Sequence, residues 1–266
     1  MPDYKKVFIE AFSKYYDLVY GERLDTSKFL DHVTKKWATY SWKKSYVLGV
    51  VQESIGMDIQ LVNQINLIDR SRITLNAWDE ILDEYNDMES FTIYDQFVDS
   101  DAILAADAPY KVKSRFAYLT AYIIHHCLSI IDVNYTKNFN NRLHFSDLEK
   151  LLKHDKIDEV AENSEDLYDL IKPIFHEEFK EESLNFRNRE HHRDGPTIFT
   201  GSSAQVKEII EDDGNKRYRV SIKEPIPLEK LVNSLDNELK KCRKAYLEFE
   251  KFVDSSFKIF DKYRAG

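Results

Sequence analysis

Seven glycines and six prolines in 266 residues leave few tight turns to connect many short strands, so a mainly helical chain follows. Only two cysteines are present, Cys127 and Cys242, each inside an apolar helical pattern where a thiol packs as a small hydrophobe, and no cysteine pair stands at zinc spacing. There is no glycine loop to cradle a phosphate and no nucleophile elbow. The segment His176-Glu177-Glu178-Phe179-Lys180 begins like a zinc-protease helix, but Lys180 stands where the second imidazole belongs. Hydride transfer, P-loop hydrolysis and zinc catalysis all lose support, and no cofactor or metal is expected. No stretch is long and apolar enough to span a bilayer, and the first twenty residues lack the apolar core of a signal peptide. The expectation is a cytoplasmic protein with no membrane partner.

What is present is charge and aromatic bulk. Charged residues make up 32% of the chain, with a net charge of -9, which disfavours broad electrostatic binding to nucleic acid and leaves only local contacts. Aromatics at 13% supply ample core. Apolar spacing of three and four predicts a first helix ending near Gly21, a helix broken softly at Gly56, and a further short helix capped by Thr74. Phe91 to Phe97 carries enough β-branched and aromatic residues for a short strand. Pro109 is read as opening a central helix, apolar nearly all round, that carries His125 and His126 in hydrogen-bonded structural roles. Ser146 and Asn163 or Ser164 start later helices. Pro227 begins a long final one with the seam Leu228, Leu231, Leu235, Leu239, Cys242, Tyr246 and Phe249. Between them, Ala204 to Glu211 and Lys216 to Ile222 flank Asp212-Asp213-Gly214-Asn215 as a β-hairpin, with Tyr218, Val220 and Ile222 alternating against Arg217, Arg219 and Ser221.

The densest chemistry lies in Asn185-Phe186-Arg187-Asn188-Arg189-Glu190-His191-His192-Arg193-Asp194-Gly195-Pro196. A fixed cation beside a titratable imidazole is what phosphate chemistry at neutral pH requires. On a helix, Asn188 and His192 share a face, whereas Arg187 and His192 are five residues apart, about 140° around the axis, so one helix alone splays them. Arginine and histidine also gather in the last turn of a helix simply to complement its negative end.

Arg187-Asn188-(three residues)-His192 resembles the signature of the HEPN superfamily: arginine, four intervening residues and histidine, with a polar residue favoured directly after the arginine. The resemblance implies a HEPN-like helical bundle over residues 106–266, with residues 1–105 as an N-terminal helical extension and one inserted β-hairpin near 204–222. It also implies a homodimer whose two motifs face each other, and a metal-independent endoribonuclease. In that enzyme Arg187 neutralises the scissile phosphate, His192 is the acid or base for attack by the ribose 2′-hydroxyl, and Asn188 orients substrate or His192. RNA is then the substrate and a cognate inhibitor protein an expected partner, in stress response, toxin–antitoxin or antiphage defence. The position two after the histidine is Asp194, so the tyrosine modification of some toxin-type members has no counterpart. The alternative reading is a non-catalytic helical module that binds a protein partner or nucleotide. A metal-dependent hydrolase built on His125, His126 and acidic residues stands third.

Overall fold

The computed structural model describes residues 4–34, 37, 42–135, 145–160, 163–183, 197–199, 203–210 and 216–263. The chain is mainly helical: α1 (Tyr4–Tyr16), α2 (Ser45–Leu82), α3 (Asp87–Phe97), α4 (Asp99–Ile131), α5 (Phe145–Leu151), α6 (Ile157–Val160), α7 (Ser164–Ile171), α8 (Glu177–Glu182) and α9 (Leu228–Phe257). Strands β1 (Ser203–Ile210) and β2 (Lys216–Lys223) pair antiparallel, with Val206 opposite Val220. Among the described residues, no helix is long and apolar enough to cross a membrane.

Two compact units divide the chain. The first takes Met1–Thr26, Asp69–Asp107 and Glu177–Asn237; the second takes Ser27–Ile68, Ala108–His176 and Glu238–Gly266.

In the first unit the core is an aromatic stack. Trp78 is buried and lies flat against Tyr15 at 4.5 Å and against Phe97 at 5.7 Å, while Phe8 meets Phe97 edge-on at 5.4 Å. Phe97 reaches this stack from a helix, not the strand its composition predicts. The reason is local: the Asn86 side chain accepts the Glu89 N–H at 3.2 Å as an N-cap, and Ile93 and Tyr94 turn inward one helical face later. Nor does α1 stop at Gly21. It ends at Tyr16 and widens into a π-helical segment, Asp17–Arg23, that runs through Gly21 and closes with Leu24 N–H on the Val19 carbonyl.

The second unit is built on apolar faces of long helices. Val47, Val50, Val51, Leu61, Ile65 and Ile68 on α2 are buried at helical spacing, and that burial outweighs the roughly 1 kcal/mol that Gly56 costs a helix interior. The expected break at Gly56 does not occur. Further along, Thr74 lies inside α2 and donates to the Ser71 carbonyl rather than opening a new helix. Likewise α4 begins at Asp99, ten residues before Pro109, because Ala102, Ala105, Ala106 and Ala108 bury small helix-favouring side chains ahead of it. Phe116, Phe249, Phe252 and Phe257 fill the centre, with Phe116 edge-on to Phe249 at 6.0 Å. Cys127 and Cys242 are free and buried there, and burial pushes both thiols up.

A buried polar knot fixes residues 31–34 in the same unit. Asp58, fully buried on α2, accepts from the Thr34 N–H and hydroxyl at 3.0 and 2.8 Å and from the Tyr246 hydroxyl at 2.8 Å; that hydroxyl also accepts the Val33 N–H at 2.9 Å. Burial raises the Asp58 carboxyl and these donors oppose the rise. Glu238 does a similar job for a left-handed residue. Phe175 sits at φ 50°, and its N–H donates to the buried Glu238 carboxylate at 2.8 Å, which Lys241 neutralises at 2.7 Å.

Candidate functional site

Arg187, Asn188 and His192 lie outside the described residues. The structure does fix both ends of the segment that carries them, and both belong to the first unit. Upstream, α8 buries Phe179, and Glu182 accepts a hydrogen bond from the Ser234 hydroxyl at 2.5 Å, tying the end of α8 to α9. Downstream, Phe199 N–H donates to the Ile226 carbonyl at 2.8 Å and Ile226 N–H to the Thr197 carbonyl at 2.9 Å, forming a parallel bridge between Ile198 and Ile226. Phe199, held at φ 60°, stacks on Tyr94 at 5.1 Å.

In the second unit, Tyr46 and Glu53 of α2 meet Tyr122 and His126 of α4. The Tyr46 hydroxyl and His126 Nδ1 share a hydrogen bond of 2.5 Å, and the Tyr122 ring meets His126 edge-on at 4.3 Å while its hydroxyl donates to Glu53 at 2.7 Å. Burial pushes His126 down to about 4, so its imidazole is neutral at physiological pH. His125, on the buried side, shares a 2.8 Å hydrogen bond with the Tyr135 hydroxyl. Both imidazoles thus have hydrogen-bond partners, the role expected of them.

A second group follows α4 directly. Asp132, His154 and Asp155 each place one ligand atom close enough to share a metal ion. Their existing contacts weigh against that use. Lys156 sets its ammonium 3.2 Å from Asp132 Oδ1, and its backbone N–H lies 3.2 Å from His154 Nδ1. His154 Nδ1 also lies 3.1 Å from Asp155 Oδ1, and its Nε2 faces Asp132 Oδ2 at 3.6 Å. The Asn134 N–H, followed by Lys156, holds the Asp132 carboxyl below its ordinary range. Lys156 offsets one of the two carboxylate charges, and its contacts tie the chain after α4 to the turn before α6. Nothing in sequence spacing marks it, because Asp132 and His154 are brought together only by the fold.

An open groove of about 440 Å³ is lined by Glu149, Leu152, Lys153, Glu165, Tyr168 and Asp169. Three carboxylates against one ammonium repel a phosphate backbone, so this groove does not suit RNA. No family model, no curated protein and no solved structure matches the chain.

Proposed function

We propose that the protein is a metal-independent endoribonuclease of HEPN type, acting as a homodimer. The observation that carries this reading is the sequence Arg187-Asn188-(three residues)-His192. A mainly helical chain suits it. In the proposed reaction the base removes the 2′-hydroxyl proton, the 2′-oxygen attacks the adjacent phosphorus, and the bond to the 5′-oxygen breaks as that oxygen takes a proton. The products are a 2′,3′-cyclic phosphate and a free 5′-hydroxyl. Arg187 neutralises the phosphate as charge builds on its oxygens, since its fork matches them in geometry and never loses its charge. His192 moves the proton. Asn188, one helical turn before His192, orients it or the substrate. Two copies bringing their motifs to one cleft would overcome the splay between Arg187 and His192 that a single helix imposes.

Purified full-length protein, incubated with RNA in excess chelator, tests the reading. The wild type is expected to cleave, and His192→Ala and Arg187→Ala to lose at least a hundredfold in rate with helical content and mass in solution unchanged. No cleavage by the wild type on any RNA, or full activity in His192→Ala, would leave the non-catalytic binding module as the better description.

A further inference from the structure

The groove of about 440 Å³ is walled by α5 and the turn after it on one side and by α7 on the other, all within the second unit. Helical spacing builds both walls. On α7, Glu165, Tyr168 and Asp169 fall three and four residues apart and share one face, while Ser164, Leu167 and Ile171 bury the other. On the α5 side, the Leu152 N–H donates to the Leu148 carbonyl at 3.0 Å, so the turn continues past Glu149 and brings Leu152 and Lys153 into the lining. Tyr168 joins the walls by donating its hydroxyl to Glu149. Its ring and Leu152, both half-buried, are the apolar part of the groove; the four charged groups are exposed.

We propose that this groove binds a linear aliphatic polyamine, with its ammonium groups on Glu149, Glu165 and Asp169 and its methylenes along Leu152 and the Tyr168 ring. Size comes first: a cavity of about 440 Å³ is in the range of small-molecule sites and far larger than one ion needs. Charge is next. Three carboxylates against Lys153 leave two negative charges over, and among the described residues none of these four groups enters an ion pair. Glu165 and Asp169 repel each other one turn apart on α7, and a bound cation relieves that repulsion. The spread of the carboxylates then decides between cations. Among the described residues, the set of three acidic or imidazole groups whose ligand atoms lie within 4.8 Å of one another is Asp132, His154 and Asp155. Glu149, Glu165 and Asp169 do not converge in that way, so a compact metal ion leaves them unsatisfied and a ligand with separated charges reaches them. Between those charges Leu152 and the Tyr168 ring supply what a methylene chain buries, and an aromatic face also attracts an ammonium. Tyr168 registers the negative field: burial, followed by its hydrogen bond to Glu149 and the charges of Glu149 and Asp169, pushes its hydroxyl up to about 12. The site goes beyond the proposed nuclease activity and does not depend on it.

The test reads binding without RNA, so it stands apart from whether RNA is cut. Isothermal titration calorimetry of the full chain with 1,4-diaminobutane and with spermidine, at about 50 mM salt to limit screening, is expected to show one saturable site per chain. Butylamine, with the same carbon chain and a single charge, should bind at least tenfold more weakly. The double variant Glu165→Gln, Asp169→Asn should lose at least tenfold in affinity for the diamine, with the helical circular dichroism signal unchanged. Lys153→Gln should bind more tightly than wild type, because it takes a competing cation out of the groove. Asp95→Asn, which removes an exposed carboxylate of α3 in the other unit, should bind as wild type does and so separates the groove from the general acidity of the chain. Failure to saturate with either amine up to about 10 mM would overturn the proposal. So would butylamine or Mg²⁺ binding as tightly as the diamine, an equal loss in Asp95→Asn and the double variant, or binding of a lysine-rich peptide with none of either amine.

Discussion

Replacing Tyr246 with Phe removes one oxygen from the buried knot around Asp58 and leaves the ring in place. The ring keeps its contacts with Phe249 at 5.9 Å and Phe116 at 6.5 Å, so almost no cavity opens. What disappears is the hydroxyl that donates to Asp58 Oδ1 at 2.8 Å and accepts the Val33 N–H at 2.9 Å. A hydrogen bond to a charged group contributes roughly 1.5–3 kcal/mol, and an orphaned buried N–H costs about 1 kcal/mol more, so we expect a loss of about 3 kcal/mol. The loss should also depend on pH. Asp58 is already raised by burial, and taking away a donor raises it further, so the ionised form becomes harder to keep inside. Folded Asp58 then holds its proton to higher pH than the unfolded chain does, which places the extra penalty above the ordinary carboxyl range and removes it below. Urea unfolding followed by circular dichroism at pH 4 and pH 7.5 measures both features. A difference below about 0.5 kcal/mol at pH 7.5, or an equal loss at the two pH values, would refute the role given to this hydroxyl.

Two further perturbations separate opposing titrations in the same pH window. Burial, followed by repulsion from Asp83, Glu229 and Glu80, raises Asp79 to about 6, so its ionisation weakens the fold as pH climbs from about 4 to about 6; Asp79→Asn should raise the thermal midpoint by a few degrees at pH 7.5, about 1 kcal/mol after allowance for partial exposure, and do nothing at pH 4. His126 moves the other way. Held near 4 against an ordinary 6.5, it contributes stability that is complete above about 6.5 and is lost as pH falls toward 4, so His126→Asn should flatten the acid limb of a stability–pH curve. A curve whose acid limb is unchanged in that variant would contradict the buried neutral imidazole.

Long burial patterns were the most legible feature of the sequence. The seam from Leu228 to Phe249 appears as α9, because its periodicity acts over a few residues and survives any tertiary context, and α7 begins at Ser164 although the Asn163 side chain donates to Glu248 and does not cap it. Punctuation was less reliable. Gly56, Thr74 and Pro109 all lie inside helices, since a continuous buried face repays a local penalty that only the folded core reveals. The helix at Phe91–Phe97 was legible after all in Asn86-Asp87-Met88-Glu89, a cap that outweighs the β-branched composition behind it. The Asp58–Tyr246 knot and the Asp132–His154–Lys156 cluster had no signal in sequence, because their members are far apart and converge only when helices pack. The Arg187–His192 candidate is the reverse case: it is read from sequence, and its three residues lie outside the described ones.

The most direct measurement of the central claim is the chemistry at the ends of cut RNA. With chelator in excess, full-length wild-type protein is given an RNA and the same RNA carrying a single 2′-deoxy nucleotide at the cleavage position. Cyclic phosphate and 5′-hydroxyl ends from the first, with no cutting at the substituted position of the second, are the predicted result. Cleavage at the 2′-deoxy nucleotide, or ends bearing a 5′-phosphate, would contradict attack by the ribose hydroxyl and with it the part assigned to Arg187 and His192.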